Sequence, residues 1–204
     1  KNLKYQSPGI NEETRFEKLH TVTFENSRDA SILIAREICD LIKVKQEKKK
    51  NCVIGFATGS SPTKVYQEII RIHNEESLSF YNVIAFNLDE YYPIDKDDNN
   101  SYHHFMNDNL FSHIDIPKEN INIPSGEISE KEIKKFCTSY EKKIEKNGGI
   151  DIQLLGIGRT GHIGFNEPGS HFNSKTRLIT LDNTTRYDAS KSFNGIENVP
   201  STAL

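Results

Sequence analysis

The amino-acid sequence predicts an α/β fold with a doubly wound, mostly parallel sheet and helices on both faces. Three continuous apolar runs, residues 52–57, 81–86 and 150–155, are typical of strands that are buried on both faces. Segments with apolar side chains at helical spacing lie between these runs. Strands and amphipathic helices that alternate in this way form parallel sheets with crossover helices.

The N-terminal part is predicted to contain an extension, a short strand and a helix. Residues 1–20 are polar and are interpreted as an extension, so that the α/β domain occupies residues 21–204. Residues 21–24 are predicted to form a short strand. Ser27 is predicted to cap a helix whose apolar side chains recur at helical spacing.

The later elements follow from capping and turn signals. A helix with one apolar face follows the first buried run, and another is predicted over residues 101–111. Ser129 and Glu132 have the spacing of a capping box that begins a helix, and this helix is predicted to end at Gly148. Residues 178–181 are a possible fourth strand.

Composition and charge limit the partners and the location. Lys and Arg number 26 and Asp and Glu number 29, so the net charge of −3 does not favour a nucleic-acid partner. No segment approaches the roughly 20 apolar residues of a membrane span. Three scattered cysteines, and histidines without ligand spacing, predict a cytoplasmic protein without disulfides or a metal site.

Ligands of open α/β sheets bind beyond the carboxyl ends of the strands, which directs attention to three loops. The first loop is formed by Thr58, Gly59, Ser60, Ser61 and Pro62. Its hydroxyls and the start of the following helix could hold a phosphate, although an ordinary strand-to-helix turn is the alternative. The loop lacks the ending of a Walker A motif, so nucleotide hydrolysis is not predicted.

The second loop places Asp89 and Glu90 directly after a buried run. Adjacent carboxylates at the end of a strand point in different directions, so we expect one of them to face the crevice. Desolvation of Asp89 would raise its pKa and suit it to general-base catalysis. A helix cap or a loop hydrogen bond is the alternative.

The third loop, residues 156–168, contains His162 with Glu167 five positions later. Residues 156–161 fit the dinucleotide fingerprint, but that interpretation is rejected because the chain continues into further glycine and proline rather than a helix. A carboxylate can hold a histidine in one tautomer for acid–base work. The three loops together predict acid–base chemistry on a small phosphorylated substrate, without a cofactor.

Residues 58–62, 86–91 and 161–168 resemble the three signature segments of the glucosamine-6-phosphate deaminase family. The resemblance continues through residues 115–122 and covers roughly residues 21–204. The related 6-phosphogluconolactonases share the Rossmann-like fold, but residues 165–168 favour the deaminases. The family opens a sugar ring, moves a proton from C2 to C1 and releases ammonia to leave fructose 6-phosphate.

The resemblance implies that Asp89 carries this proton and that His162 assists ring opening, with Glu167 orienting it. It further implies that substrate is bound by Thr58, Gly59, Ser60, Ser61, Glu90, Gly161 and Lys191. Lys191 occupies a position where the family commonly has Arg. Lysine neutralises a phosphate as a point charge rather than as a bidentate fork.

Two departures from the family are visible, and two other functions stay open. Thr160 stands where the family usually has Asp, and the family continues beyond this chain, so we expect a sheet that is incomplete at its C-terminal end. The resemblance also implies a possible homo-oligomer. The alternative functions are a sugar-phosphate lactonase of the same fold and a catalytically impaired sugar-phosphate sensor, which Thr160 would support.

Overall fold

The fold of residues 21–204 is described by a computed structural model. Within these residues the α-helices are α1 Ser27–Glu47, α2 Thr63–Glu76, α3 Tyr102–Asn109, α4 Ile133–Lys146 and α5 Asn183–Ala189. The strands are β1 Cys52–Phe56, β2 Val83–Asn87, β3 Tyr91–Tyr92, β4 Ile121–Asn122, β5 Ile152–Gln153, β6 Ile179–Thr180 and β7 Thr202–Ala203. The predicted extension over residues 1–20 lies outside the described residues.

A parallel four-stranded sheet with the order β4-β2-β1-β5 forms the centre of the fold. β1 and β2 pair along their whole lengths, from Cys52 beside Val83 to Phe56 beside Asn87. Both strands are buried at every position, which is why each has a continuous apolar sequence rather than an alternating one. The two principal strand predictions are therefore confirmed.

Helices cover both faces of this sheet. On one face, α1, α2 and α3 pack against β1 through side chains such as Ile38, Ile69 and Met106. On the other face, Tyr140 of α4 packs against Phe86 with ring centroids 5.6 Å apart. The predicted doubly wound α/β class is confirmed. No helix within residues 21–204 has the length and apolar character needed to cross a bilayer.

A second, antiparallel sheet with the order β3-β7-β6 lies beside the end of β2. Glu90 and Leu204 exchange two backbone hydrogen bonds of 3.0 and 2.9 Å, which connect this sheet to the loop after β2. The prediction that residues 178–181 extend the buried series of parallel strands is wrong. β6 pairs with β7 instead, because the chain between β5 and β6 forms a long loop without a crossover helix.

Three local predictions at the ends of elements are also corrected. Residues 21–24 are not a strand. The cap of α1 is Asn26, whose side chain accepts the Asp29 N–H at 3.0 Å, one position before the predicted Ser27. Of residues 150–155 only β5 is a strand, and it is half-buried because it lies at the edge of the sheet.

The predicted capping box before α4 forms differently. The Ser129 hydroxyl donates to the Glu132 carboxylate at 2.7 Å, whereas a capping box would have paired each side chain with backbone N–H groups. Glu130–Glu132 form a 3₁₀ turn and α4 begins at Ile133. The predicted end is confirmed: Gly148 follows the helix with φ of +87°, a conformation that glycine adopts without strain.

Candidate active site

A cavity of about 600 Å³ lies beside the carboxyl ends of β1, β2 and β5. All three loops predicted from the sequence contribute to its wall: residues 58–62, residues 88–89 and the glycine-rich loop from residue 156. The cavity therefore lies where open α/β sheets bind their ligands.

Residues 58–62 connect β1 to α2 and form one end of the cavity. Gly59 has φ of +105°, which permits the tight turn, and Thr63 donates its hydroxyl to the Gly59 carbonyl at 3.2 Å. The buried Tyr66 hydroxyl donates to the carbonyl of Ala57 and fixes the helix to the strand. The first turn of α2 thus meets the cavity with its positive dipole end, which suits a phosphate.

Asp89 is the buried carboxylate of the cavity, with 6% of its surface exposed. Burial and, to a smaller extent, the charge of Glu90 raise its pKa to about 7, although a hydrogen bond from the Phe165 backbone N–H opposes them. A carboxylate that titrates near neutral pH is suited to act as a general base.

Glu90, unlike Asp89, points away from the cavity and binds backbone groups instead. Its carboxylate accepts the backbone N–H groups of Tyr91 and Tyr102 at 2.9 Å and of His103 at 3.0 Å. It therefore caps the start of α3, and burial raises its own pKa to about 7 against the effect of these bonds. The expectation that only one of the adjacent carboxylates faces the crevice is confirmed.

The glycine-rich loop folds into a tight turn that carries His162. Gly158 donates its N–H to the His162 carbonyl at 2.9 Å, and Gly161, with φ of +79°, donates to the Gly158 carbonyl at 3.0 Å. A Cβ atom at Gly158 would lie 2.0 Å from Nε2 of His162. Glycine is therefore required for the ring to rest against the backbone. The loop does not open a helix, as expected when the dinucleotide interpretation was rejected.

Nδ1 of His162 is surrounded by oxygen atoms. Thr160 Oγ1 lies 2.9 Å away, Thr185 Oγ1 3.4 Å away and Glu167 Oε2 3.7 Å away. The other Glu167 oxygen accepts the Asp182 N–H at 3.0 Å, while Oε2 is buried without a hydrogen-bond partner among the described residues. The Glu167 carboxylate is thus held in a fixed position beside the ring, with one oxygen still open to a hydrogen bond.

The structure brings together most, but not all, of the predicted site residues. The cavity wall includes Thr58, Gly59, Ser60, Ser61, Asp89 and His162, and Glu167 lies directly behind His162. Glu90, Gly161 and Lys191 are not on this wall, and Lys191 is exposed just after α5. Within residues 21–204, no three His, Cys, Asp or Glu side chains are arranged to hold a metal ion.

Sequence reasoning missed an aromatic wall and an ion pair. Tyr102 stacks on Phe165 with centroids 5.5 Å apart, and its hydroxyl hydrogen-bonds with Thr58. Arg159 binds Asp188 through two hydrogen bonds, of 2.6 and 3.0 Å, beside the cavity. A tyrosine and two charges are ordinary residues in a polar sequence, so no local pattern identified them.

Residues 25–186 match the family described as glucosamine-6-phosphate isomerases/6-phosphogluconolactonase. The chain belongs to this family. It is 45% identical to a glucosamine-6-phosphate deaminase of Oceanobacillus iheyensis over 180 residues, which are 88% of this chain and 70% of the relative. It is 49% identical to a putative glucosamine-6-phosphate deaminase-like protein of Bacteroides thetaiotaomicron over 191 residues.

The chain spans only 29% of the length of the Bacteroides relative, although the match covers 94% of this chain. Among solved structures of the isomerase/lactonase family, a monomeric glucosamine-6-phosphate deaminase superposes with a TM-score of 0.86 at 42% identity. That match covers 91% of this chain and 75% of the other. A 6-phosphogluconolactonase of Thermotoga maritima, at 22% identity and a TM-score of 0.65, shares the fold.

Proposed function

We propose that this protein is a glucosamine-6-phosphate deaminase, which converts glucosamine 6-phosphate and water to fructose 6-phosphate and ammonia. The observation that carries the proposal is the buried Asp89 in one cavity with His162 and the phosphate-binding type of loop at residues 58–62. Relatives at 43–46% identity bear this name, and the cavity contains the chemical groups that the reaction needs.

The phosphate end of the substrate would lie against residues 58–62. Ser60 and Ser61 offer hydroxyl and backbone N–H donors, and the first turn of α2 adds its dipole. This placement would direct the sugar carbons towards Asp89 and His162, which line the same cavity.

His162 would serve ring opening. The imidazole passes a proton between the C1 hydroxyl and the ring oxygen, so that the ring C–O bond breaks and a C1 carbonyl forms. Thr160 and Glu167, both beside Nδ1, hold the ring in one orientation, which leaves Nε2 for the substrate.

Asp89 would then move the proton that interconverts aldose and ketose. Its ionised carboxylate removes the C2 proton and returns it to C1, while a proton passes from the amino nitrogen to the C1 oxygen, which leaves an imine at C2. Water adds to this imine and ammonia departs, giving the C2 ketone of fructose 6-phosphate. Burial of Asp89 keeps the transferred proton from bulk water during this step.

The deciding experiment incubates the 204-residue chain separately with glucosamine 6-phosphate and with 6-phosphogluconolactone. We expect equal amounts of ammonia and fructose 6-phosphate from the first and no turnover of the second. Lactone hydrolysis alone would establish the lactonase alternative, which needs no C2 proton transfer. Binding of glucosamine 6-phosphate without turnover would establish the sensor alternative.

We also propose that the protein works in the cytoplasm, where a phosphorylated sugar is available. Cys39, Cys52 and Cys137 are all free and buried, which is compatible with a reducing compartment.

The homo-oligomer stays a prediction, because one related deaminase is described as monomeric. Sedimentation equilibrium of the chain measures its mass in solution and decides between a monomer and a homo-oligomer.

A further inference from the structure

A cavity that binds a phosphate dianion gains from a positive side chain in addition to backbone N–H groups. Among the described residues that line the 600 Å³ cavity, Arg159 is the one lysine or arginine. Lys191, the cation predicted from the sequence, lies outside the cavity wall, although both side chains are exposed. Arg159 is thus the candidate cation of the cavity among the residues that the structure describes.

Arg159 is held in a defined position by Asp188 of α5. Its Nε and Nη2 atoms lie 3.0 and 2.6 Å from the two Asp188 oxygens, so the guanidinium presents one edge to the carboxylate. A guanidinium has five N–H donors, and this pairing leaves donors for a second anion. Arg159 also belongs to the tight turn that carries His162, between Gly158 and Gly161.

We propose that Arg159 is the cation that binds the substrate phosphate and that Asp188 competes with the phosphate for it. The identity of the phosphorylated substrate rests on the proposed function. In the absence of ligand, Asp188 neutralises the guanidinium and keeps it at the edge of the cavity. When phosphate binds, its two negative charges and three terminal oxygens replace Asp188 as the partner of some or all of the Arg159 N–H groups.

The ion pair could instead serve only to fasten the glycine-rich loop to α5. The two interpretations predict opposite results for Asp188→Asn. Loss of a fastening would weaken phosphate binding, as Arg159→Gln would. Loss of a competitor would strengthen it, because the freed guanidinium is no longer neutralised and a like charge near the phosphate is gone.

The test measures the dissociation constant of inorganic phosphate by calorimetry, and KM and kcat for glucosamine 6-phosphate, in the full chain. The variants are Arg159→Gln, Arg159→Lys and Asp188→Asn. The matched control is Arg36→Gln, because Arg36 makes a similar bidentate pair with Glu76 at 2.7 and 2.5 Å on α1 and α2. Thermal unfolding of each variant checks that it is folded.

We expect Arg159→Gln to weaken phosphate binding and raise KM roughly ten-fold or more, with kcat within about two-fold. Arg159→Lys should show an intermediate loss, Asp188→Asn should bind phosphate more tightly, and the control should match the native protein. Unchanged phosphate binding in Arg159→Gln, or weaker binding in Asp188→Asn, would overturn the proposal. A chain without deaminase activity would refute the proposed function, whereas phosphate calorimetry would still decide the role of Arg159.

Discussion

The hydroxyl of Thr160 lies 2.9 Å from Nδ1 of His162, closer than the Glu167 carboxylate, whose nearest oxygen is 3.7 Å away. A neutral hydroxyl therefore makes the direct contact with the ring, and the carboxylate acts from a longer distance. The hydroxyl can fix the tautomer and the orientation of the imidazole, with the Glu167 carboxylate as a more distant neighbour of the same nitrogen.

Thr160→Val tests whether this hydroxyl positions His162. The substitution keeps the shape of the side chain but removes the hydrogen bond, so we expect kcat to fall roughly ten-fold, about the free energy of one hydrogen bond. KM should change little because Thr160 is not on the cavity wall. Thr160→Ser retains the hydroxyl and should retain most activity. Equal kcat values for the Val and Ser variants would contradict this positioning role.

Gly164→Ala tests the close packing between the histidine loop and the base. A Cβ atom there would lie 2.5 Å from Leu88 Cδ2 and 2.9 Å from Asp89 Oδ2, and the backbone has φ of +58°. We expect kcat to fall sharply because Asp89 must move.

The matched control is Gly148→Ala, which has φ of +87° but nothing within 4 Å of the added carbon. Both variants carry the strain of a left-handed alanine, roughly 1 kcal/mol, so both should unfold at a lower temperature. Only Gly164→Ala should lose activity. A comparable loss of kcat in both would show that general destabilisation is responsible.

The pH dependence of kcat/KM should report the ionisation of Asp89. Burial raises the pKa of this carboxyl to about 7, and the base must be ionised to remove the C2 proton. We therefore expect kcat/KM to rise between pH 6 and pH 8 along a curve centred at about 7. An acidic limb centred near 4, the ordinary range of a carboxyl, would contradict the geometry of a buried base.

Asp89 should also lower the stability of the fold as the pH rises. Below its ordinary pKa of 3.8 the carboxyl is protonated in both the folded and the unfolded state. Above about 7 it is ionised in both states, but only the folded state buries the charge. The free energy of unfolding should therefore decrease across this interval, and Asp89→Asn should stabilise the protein at pH 8 but not at pH 3.5.

Asp151→Asn provides a control of opposite sign. Although burial opposes it, hydrogen bonds from Lys45 and the Val53 N–H lower the pKa of Asp151. Its contribution is present above its ordinary pKa and is lost as the pH falls, so this variant should be less stable at pH 8. Denaturant unfolding at the two pH values measures both effects. Destabilisation of Asp89→Asn at pH 8 would contradict the cost assigned to its buried charge.

The sequence was sufficient to predict β1, β2 and that only one of the adjacent carboxylates Asp89 and Glu90 faces the cavity. A strand with neighbours on both sides and helices on both faces must be apolar throughout, so its sequence is recognisable without any other information. The divergence of Asp89 and Glu90 follows from the alternation of side chains along an extended chain.

The second sheet and the ion pair of the cavity depended on contacts between distant residues. β3, β6 and β7 are two residues long, too short for any periodicity, and they form because the loops after β2 and β5 bring them together. Arg159 and Asp188 lie 29 positions apart and are individually unremarkable. Their pairing is set by the tertiary fold.

The most direct test of the account is the turnover of Asp89→Asn with glucosamine 6-phosphate, compared with its binding of fructose 6-phosphate. Asparagine has nearly the same shape but cannot accept the C2 proton as a base. We predict that fructose 6-phosphate formation falls by about a thousand-fold or more, while the dissociation constant stays within a few-fold of the native value. Turnover within ten-fold of the native rate would contradict the central claim that Asp89 moves the proton from C2 to C1.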